Sequence, residues 1–127
     1  MYSKKSHVIT DFIHQAKAFN HIRIKSNGQE ERQFLFIEDC INCLFVLSQK
    51  YNHINRKEIL HVTSFAFTRI ITIANILKEN IPELKIDTME KSAWYNRKIM
   101  PSRYVFTFWK PEVEINEVIK ILLNNYK

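Results

Sequence analysis

Residues 58–82 read E-I-L-H-V-T-S-F-A-F-T-R-I-I-T-I-A-N-I-L-K-E-N-I-P, and two periodicities meet inside this stretch. Over 58–63 the side chains alternate, Ile59, His61 and Thr63 against Leu60 and Val62, as along a strand. From about Phe65 the apolar spacing becomes helical, with Ala66, Ile70, Ile73, Ala74, Leu77 and Ile81 on one stripe. Ser64 stands where a capping hydroxyl belongs. Ile81-Pro82 ends the helix, because the residue before a proline avoids helical geometry.

Toward the N-terminus, 50–57 is a polar loop and about 30–49 is a long helix. Phe34, Ile37, Ile41, Leu44, Phe45 and Leu47 form its stripe, and Glu30 and Glu31 sit in the first turn, where the helix dipole favours negative charge. Ser26-Asn27-Gly28 is a turn whose glycine takes the positive φ that other residues resist. Before it, H-I-R-I-K over 21–25 alternates like a half-buried strand, and 10–19 is a short helix with Thr10 as its cap. Toward the C-terminus, 85–91 is a third strand and 94–102 a polar, basic connection. Over 103–109, Tyr104, Phe106 and Phe108 alternate with Val105, Thr107 and Trp109 as a fourth strand. Pro111 opens a last helix with Val113, Val118, Ile121 and Leu122 on its apolar face. The expected architecture is α+β: one domain over 1–127, with a β-α-β-α-β-β core at about 21–110 and helical extensions at 1–20 and 111–127.

A chain of 127 residues that is 46% apolar has room for one buried core. Its one glycine, Gly28, excludes a G-x-G-x-x-G cradle or a P-loop within these residues. Cys40 and Cys43 form a lone C-x-x-C inside an apolar run. No further pair of zinc ligands lies at suitable spacing, so both read as packed thiols in a reducing compartment. The five histidines are scattered without metal spacing. The opening M-Y-S-K-K-S-H-V-I-T-D-F-I-H-Q has no signal-peptide pattern, and no apolar run is long enough to span a membrane.

The net charge of +6 is concentrated in two segments. Residues 1–28 carry five basic side chains against Asp11, and 91–110 carry Lys91, Arg97, Lys98, Arg103 and Lys110 with no acid. Brought together, they make a basic face that attracts polyanions in a salt-sensitive way.

This order of elements resembles the Alba family of small nucleic-acid-binding proteins. N-H-I-R-I-K-S-N-G resembles its first strand and loop, 58–82 its second strand and helix, and L-K-I-D-T-M-E-K with S-R-Y-V-F-T-F-W-K its closing hairpin. The resemblance implies nucleic-acid contacts at Lys25, Ser26 and Asn27 in the first loop, with Arg32 beside them. In the hairpin it implies contacts at Tyr95, Arg97 and Lys98, beside Trp94 and Asn96, where aromatic and basic residues mix as RNA and single strands favour. Arg103 adds charge on the following strand. The family's glycine-arginine-alanine stretch is replaced by Ser64-Phe65-Ala66, and Arg69, one turn later, substitutes for the arginine. The resemblance further implies a homodimer or a heterodimer with a related chain, with a partner surface at Tyr104, Val105, Phe106, Phe108 and Trp109.

No catalytic set stands out. Glu38 and Asp39 are sequence neighbours that diverge around a helix, and a thiol inside an apolar stripe is poorly reactive. The expectation is a non-catalytic, nuclear or cytoplasmic protein without cofactor or metal that binds RNA or DNA. The alternatives are a protein-interaction subunit of a ribonucleoprotein such as ribonuclease P or MRP, and a small enzyme using the C-x-x-C or a histidine.

Overall fold

The computed structural model describes residues 7–92 and 98–126. Helix α1 (Val8–Phe19) buries Ile9, Phe12, Ile13 and Ala16. It ends at Asn20, whose φ of 51° is left-handed and whose N–H returns to the Ala16 carbonyl at 3.1 Å. Its N-cap is His7, not Thr10.

Strand β1 (His21–Arg23) follows at once and pairs in parallel with β4 (Lys85–Asp87), Ile22 facing Ile86. The ladder runs on past both strands. Ile24 N–H donates to the Asp87 carbonyl, Met89 N–H to Ser26 and Asn27 N–H to Lys91, each at 2.9 Å. The loop after β1 is thereby clamped to the segment after β4.

A second, antiparallel pair joins β2 (Glu31–Gln33) to β3 (Phe67–Arg69). Helix α2 (Ile37–Gln49) follows β2, and α3 (Ile70–Asn80) follows β3 directly. Helix α4 (Ile115–Asn125) closes the chain. One apolar cluster packs α1, α3 and α4 around Ile22, Ile24 and Leu84. Ile22, Ile73, Leu77, Leu84 and Ile119 are fully buried there, each stabilising the fold by about 1.5–3 kcal/mol. A second cluster gathers Cys43 of α2 with Val105 and Trp109, and Leu60, Val62, Phe65 and Phe106 pack against it. Asp39, buried in the first turn of α2, accepts hydrogen bonds from the N–H groups of Glu112 and Val113 and ties α2 to the approach to α4.

The mixed helix-and-strand class holds, but the single β-α-β-α-β-β core does not. The long helix expected from residue 30 begins at Ile37, because residues 31–33 pair with β3 instead. The helix expected from Phe65 begins at Ile70. Ser64 does not cap it; its hydroxyl stays within a local turn with Ala66. The first N–H groups of α3 are satisfied by backbone: Ile70 N–H by the Glu30 carbonyl at 3.0 Å and Ile71 N–H by the Gly28 carbonyl at 2.9 Å. Residues 58–63 pair with no strand among the described residues. The expected fourth strand is a 3-10 turn, Tyr104–Thr107, with Val105 buried. Its aromatics are spent inside the chain: the Phe65 and Phe106 rings lie 4.3 Å apart, Tyr104 and Phe108 meet edge-on, and Trp109 is buried.

Candidate functional site

The parallel pair and the antiparallel pair meet at the loop 24–30, and a cleft of about 330 Å³ opens beside it. Its apolar lining comes from Val8 and Phe12 of α1, Ile24, and Ile70 at the start of α3. Its charged lining is Arg23, Lys25 and Arg32 against Asp11 and Glu30, an excess of one positive charge.

Strand geometry explains the convergence. Arg23 and Lys25 lie two residues apart on the β1 line and so project to one side, while Ile22 and Ile24 point into the core. Arg32 is the middle residue of β2, so it projects opposite to its neighbour Glu31. Its guanidinium also donates to the Glu31 carbonyl oxygen at 2.8 Å. Both acids are engaged. The Glu30 carboxylate accepts from the buried Ser26 hydroxyl, with oxygens at 2.7 and 2.8 Å, and Asp11 accepts from the Gln15 amide at 2.8 Å. Ser26 Oγ in turn accepts from Gly28 N–H at 3.0 Å. These contacts hold the loop while the exposed Arg23 and Lys25 make no ion pair among the described residues.

Gly28 is part of the same scaffold. Its φ is +75°, and a Cβ there would stand 2.8 Å from the Cβ of Ile71. The missing side chain lets the loop lie against α3 and opens no space for a ligand.

Of the residues singled out from sequence, Lys25, Ser26 and Arg32 share this cleft. Asn27 is beside it, its side-chain oxygen accepting from Gln29 N–H at 3.1 Å. Arg69 and Lys98 gather elsewhere, around Glu31: Arg69 Nε is 4.0 Å from one carboxylate oxygen and Lys98 Nζ contacts the other. Lys98 also lies over the Phe67 ring at 5.4 Å, and Arg103 over the Phe106 ring at 5.7 Å. Tyr95 and Arg97, with Trp94 and Asn96, lie outside the described residues. Arg23, not singled out as a contact from sequence, is a wall of the cleft, and the H-I-R-I-K alternation places it on the same side of the strand as Lys25.

The sequence model of the NAD dependent epimerase/dehydratase family matches residues 2–63. No curated protein matches the chain in sequence. Solved structures match it in fold. The ADP-L-glycero-D-manno-heptose-6-epimerase of Helicobacter pylori superposes with a TM-score of 0.77 at 20% identity, over 96% of this chain and 38% of its own. The dTDP-glucose 4,6-dehydratase of Bacillus anthracis, in complex with NAD, gives 0.76 at 12% identity, over 97% and 40%. The GDP-mannoheptose C4 reductase of Campylobacter jejuni, with NADP bound, gives 0.71 at 16% identity, over 95% and 45%. The chain thus spans less than half the length of each of these enzymes.

These matches overturn the Alba resemblance and the reading built on it: nucleic-acid binding, RNA or DNA partners, pairing with a related chain, and a non-catalytic role. The resemblance counted 58–63 and 103–109 as paired strands and 65–80 as one helix, and the fold has none of these. The matches give the nuclear or cytoplasmic placement no support. Among the described residues no helix is long and apolar enough to cross a membrane. The dinucleotide of the similar enzymes does not fit the residues present. The one glycine is packed against Ile71, and its loop offers no Gly-rich approach to a pyrophosphate.

Proposed function

We propose that this chain forms the nucleotide-sugar side of an epimerase- or dehydratase-type enzyme. Its cleft takes the diphosphate of a nucleoside diphosphate sugar. The observation that carries this reading is the convergence of Arg23, Lys25 and Arg32 on one cleft. It supports the reading because the fold is shared with enzymes named for ADP-, dTDP- and GDP-linked sugars. Those names differ in base and in sugar and share the diphosphate.

The chemistry suits that group. Arg32 presents a planar, permanently charged fork that bonds two phosphate oxygens at once, and Lys25 and Arg23 add point charge. The apolar lining of Val8, Phe12, Ile24 and Ile70 excludes water and strengthens each contact. These residues bind and orient; the hydride chemistry belongs to a dinucleotide held outside these 127 residues.

Calorimetric titration of the purified chain with ADP, UDP, GDP and the matching nucleosides tests the proposal. Diphosphates are expected to bind with similar affinity whatever the base, to bind less tightly as salt rises, and to bind better than the nucleosides. Arg32→Ala removes at least one charge-assisted contact and is expected to weaken them by about tenfold or more. Equal binding of nucleosides and diphosphates, or an Arg32→Ala variant with unchanged affinity, contradicts the assignment.

A further inference from the structure

Helix α2 carries both cysteines of the chain, and the proposed function leaves them unused. Cys43 is fully buried in the second cluster beside Val105 and Trp109. Cys40 is half-buried and lies one helical turn before it. Residues three apart on a helix share a face, so both thiols stand at the same edge of that cluster. They also sense each other: burial, and then the neighbouring Cys40, raises the pKa of the Cys43 thiol.

Spacing decides what such a pair can hold. Side chains three apart on a helix have Cβ atoms about 5–6 Å apart, whereas a disulfide needs about 3.5–4.5 Å. Closing an S–S bond therefore means tightening the turn. An ion between the thiols removes the mismatch, because metal–thiolate bonds of about 2.3 Å hold two sulfurs about 4.6 Å apart when the ion lies in line between them. Ligand number then selects the ion. Among the described residues no group of three or more His, Cys, Asp or Glu side chains is placed to hold a metal, so zinc, calcium and magnesium lack ligands here. Copper(I) is soft, favours thiolates and is satisfied by two of them in line.

We propose that Cys40 and Cys43 form a two-coordinate dithiolate site for a soft monovalent ion, copper(I). Each thiol gives up its proton to solvent as its sulfur bonds the ion, leaving one net negative charge on the pair. Cys40 is the open side through which the ion enters, and Val46, Leu47, Val105 and Trp109 are the apolar wall that keeps water from it. Of the acids in the same turn, Glu38 is exposed and Asp39 is held by the N–H groups of Glu112 and Val113. No residue lining the cleft belongs to the second cluster, so this site stands apart from the diphosphate reading.

The test is anaerobic titration of the reduced chain with copper(I) in acetonitrile, in competition with a chromophoric copper(I) chelator. One equivalent per chain is expected to bind, with two sulfur neighbours in X-ray absorption, and the loaded chain is expected to resist iodoacetamide at Cys40. Cys40→Ala and Cys43→Ala are each expected to weaken binding by at least about a hundredfold. Cys40 is only half-buried, so its variant keeps the core intact. Asn42→Cys added to Cys43→Ala restores two thiols but sets the second on the far side of the helix, and it is expected to bind as weakly as Cys43→Ala alone. Four results overturn the proposal: one copper per two chains, unchanged affinity in either single variant, full binding in the Asn42→Cys chain, and zinc(II) bound as tightly as copper(I).

Discussion

Replacing Gly28 by alanine strikes the joint on which the cleft is built. The residue sits at φ +75°, a conformation that costs an L-side chain roughly 1–2 kcal/mol. The added Cβ also lands 2.8 Å from Ile71 Cβ and 3.3 Å from Ile71 N. Neither atom is the far end of a flexible chain, and trimming Ile71 to alanine leaves both in place. The loop must therefore lift from α3 and stretch the 2.9 Å hydrogen bond from Ile71 N–H to the Gly28 carbonyl. Overpacking of this kind adds about 1–3 kcal/mol, so Gly28→Ala is expected to cost about 2–5 kcal/mol in all. Urea unfolding reads this as a lower midpoint at unchanged slope. Because the same loop carries Lys25 and Ser26, diphosphate affinity should fall in the variant even where it remains folded. A Gly28→Ala chain within about 0.5 kcal/mol of the parent would refute the packing argument.

Ser26→Ala removes the hydroxyl that serves both the Glu30 carboxylate and Gly28 N–H inside the loop. It is expected to cost about 1–3 kcal/mol by denaturant titration, and a neutral result would mean the loop is held by its backbone contacts alone. Burial, and then the neighbouring Cys40, raises the pKa of the Cys43 thiol. Iodoacetamide at mildly alkaline pH should therefore label Cys40 well before Cys43, as read by peptide mass spectrometry, and equal rates would show Cys43 to be accessible. The folded chain holds this thiol protonated. Its contribution to stability is thus complete below the ordinary thiol pKa and is lost as pH rises through the raised value.

Much of the fold was legible locally. The first helix ending at Phe19, read two residues short at its start, the start of the strand at His21, the turn at Gly28 and the helix ending at Asn80 follow from spacing, glycine conformation and the Ile81-Pro82 stop. What the sequence hid was pairing. Residues 31–33 and 67–69 are too short to show a period of their own and lie against helical runs, so each was absorbed into the neighbouring helix. Residues 103–109 alternate perfectly yet form a 3-10 turn, because burial of Val105 and Trp109 against Cys43 outweighs the strand pattern. The candidate site was half visible for the same reason. Lys25, Ser26 and Arg32 stand close in sequence, whereas Arg23 joins them only once the ladder between β1 and β4 fixes its side of the strand. The wrong functional reading came from the miscounted order of elements, with charge added to it: 1–28 and 91–110 are both basic, but Lys98 is spent on Glu31 and does not extend the cleft.

The most direct measurement is a two-dimensional amide NMR titration of the isotope-labelled chain with ADP. The shifts should move at residues 8–12, 23–26 and 30–32, the walls of the cleft, and be lost in Arg32→Ala. Shifts confined to the surroundings of Lys98 and Arg103, or none at all while the chain is folded, would contradict a diphosphate site between α1, β1 and β2.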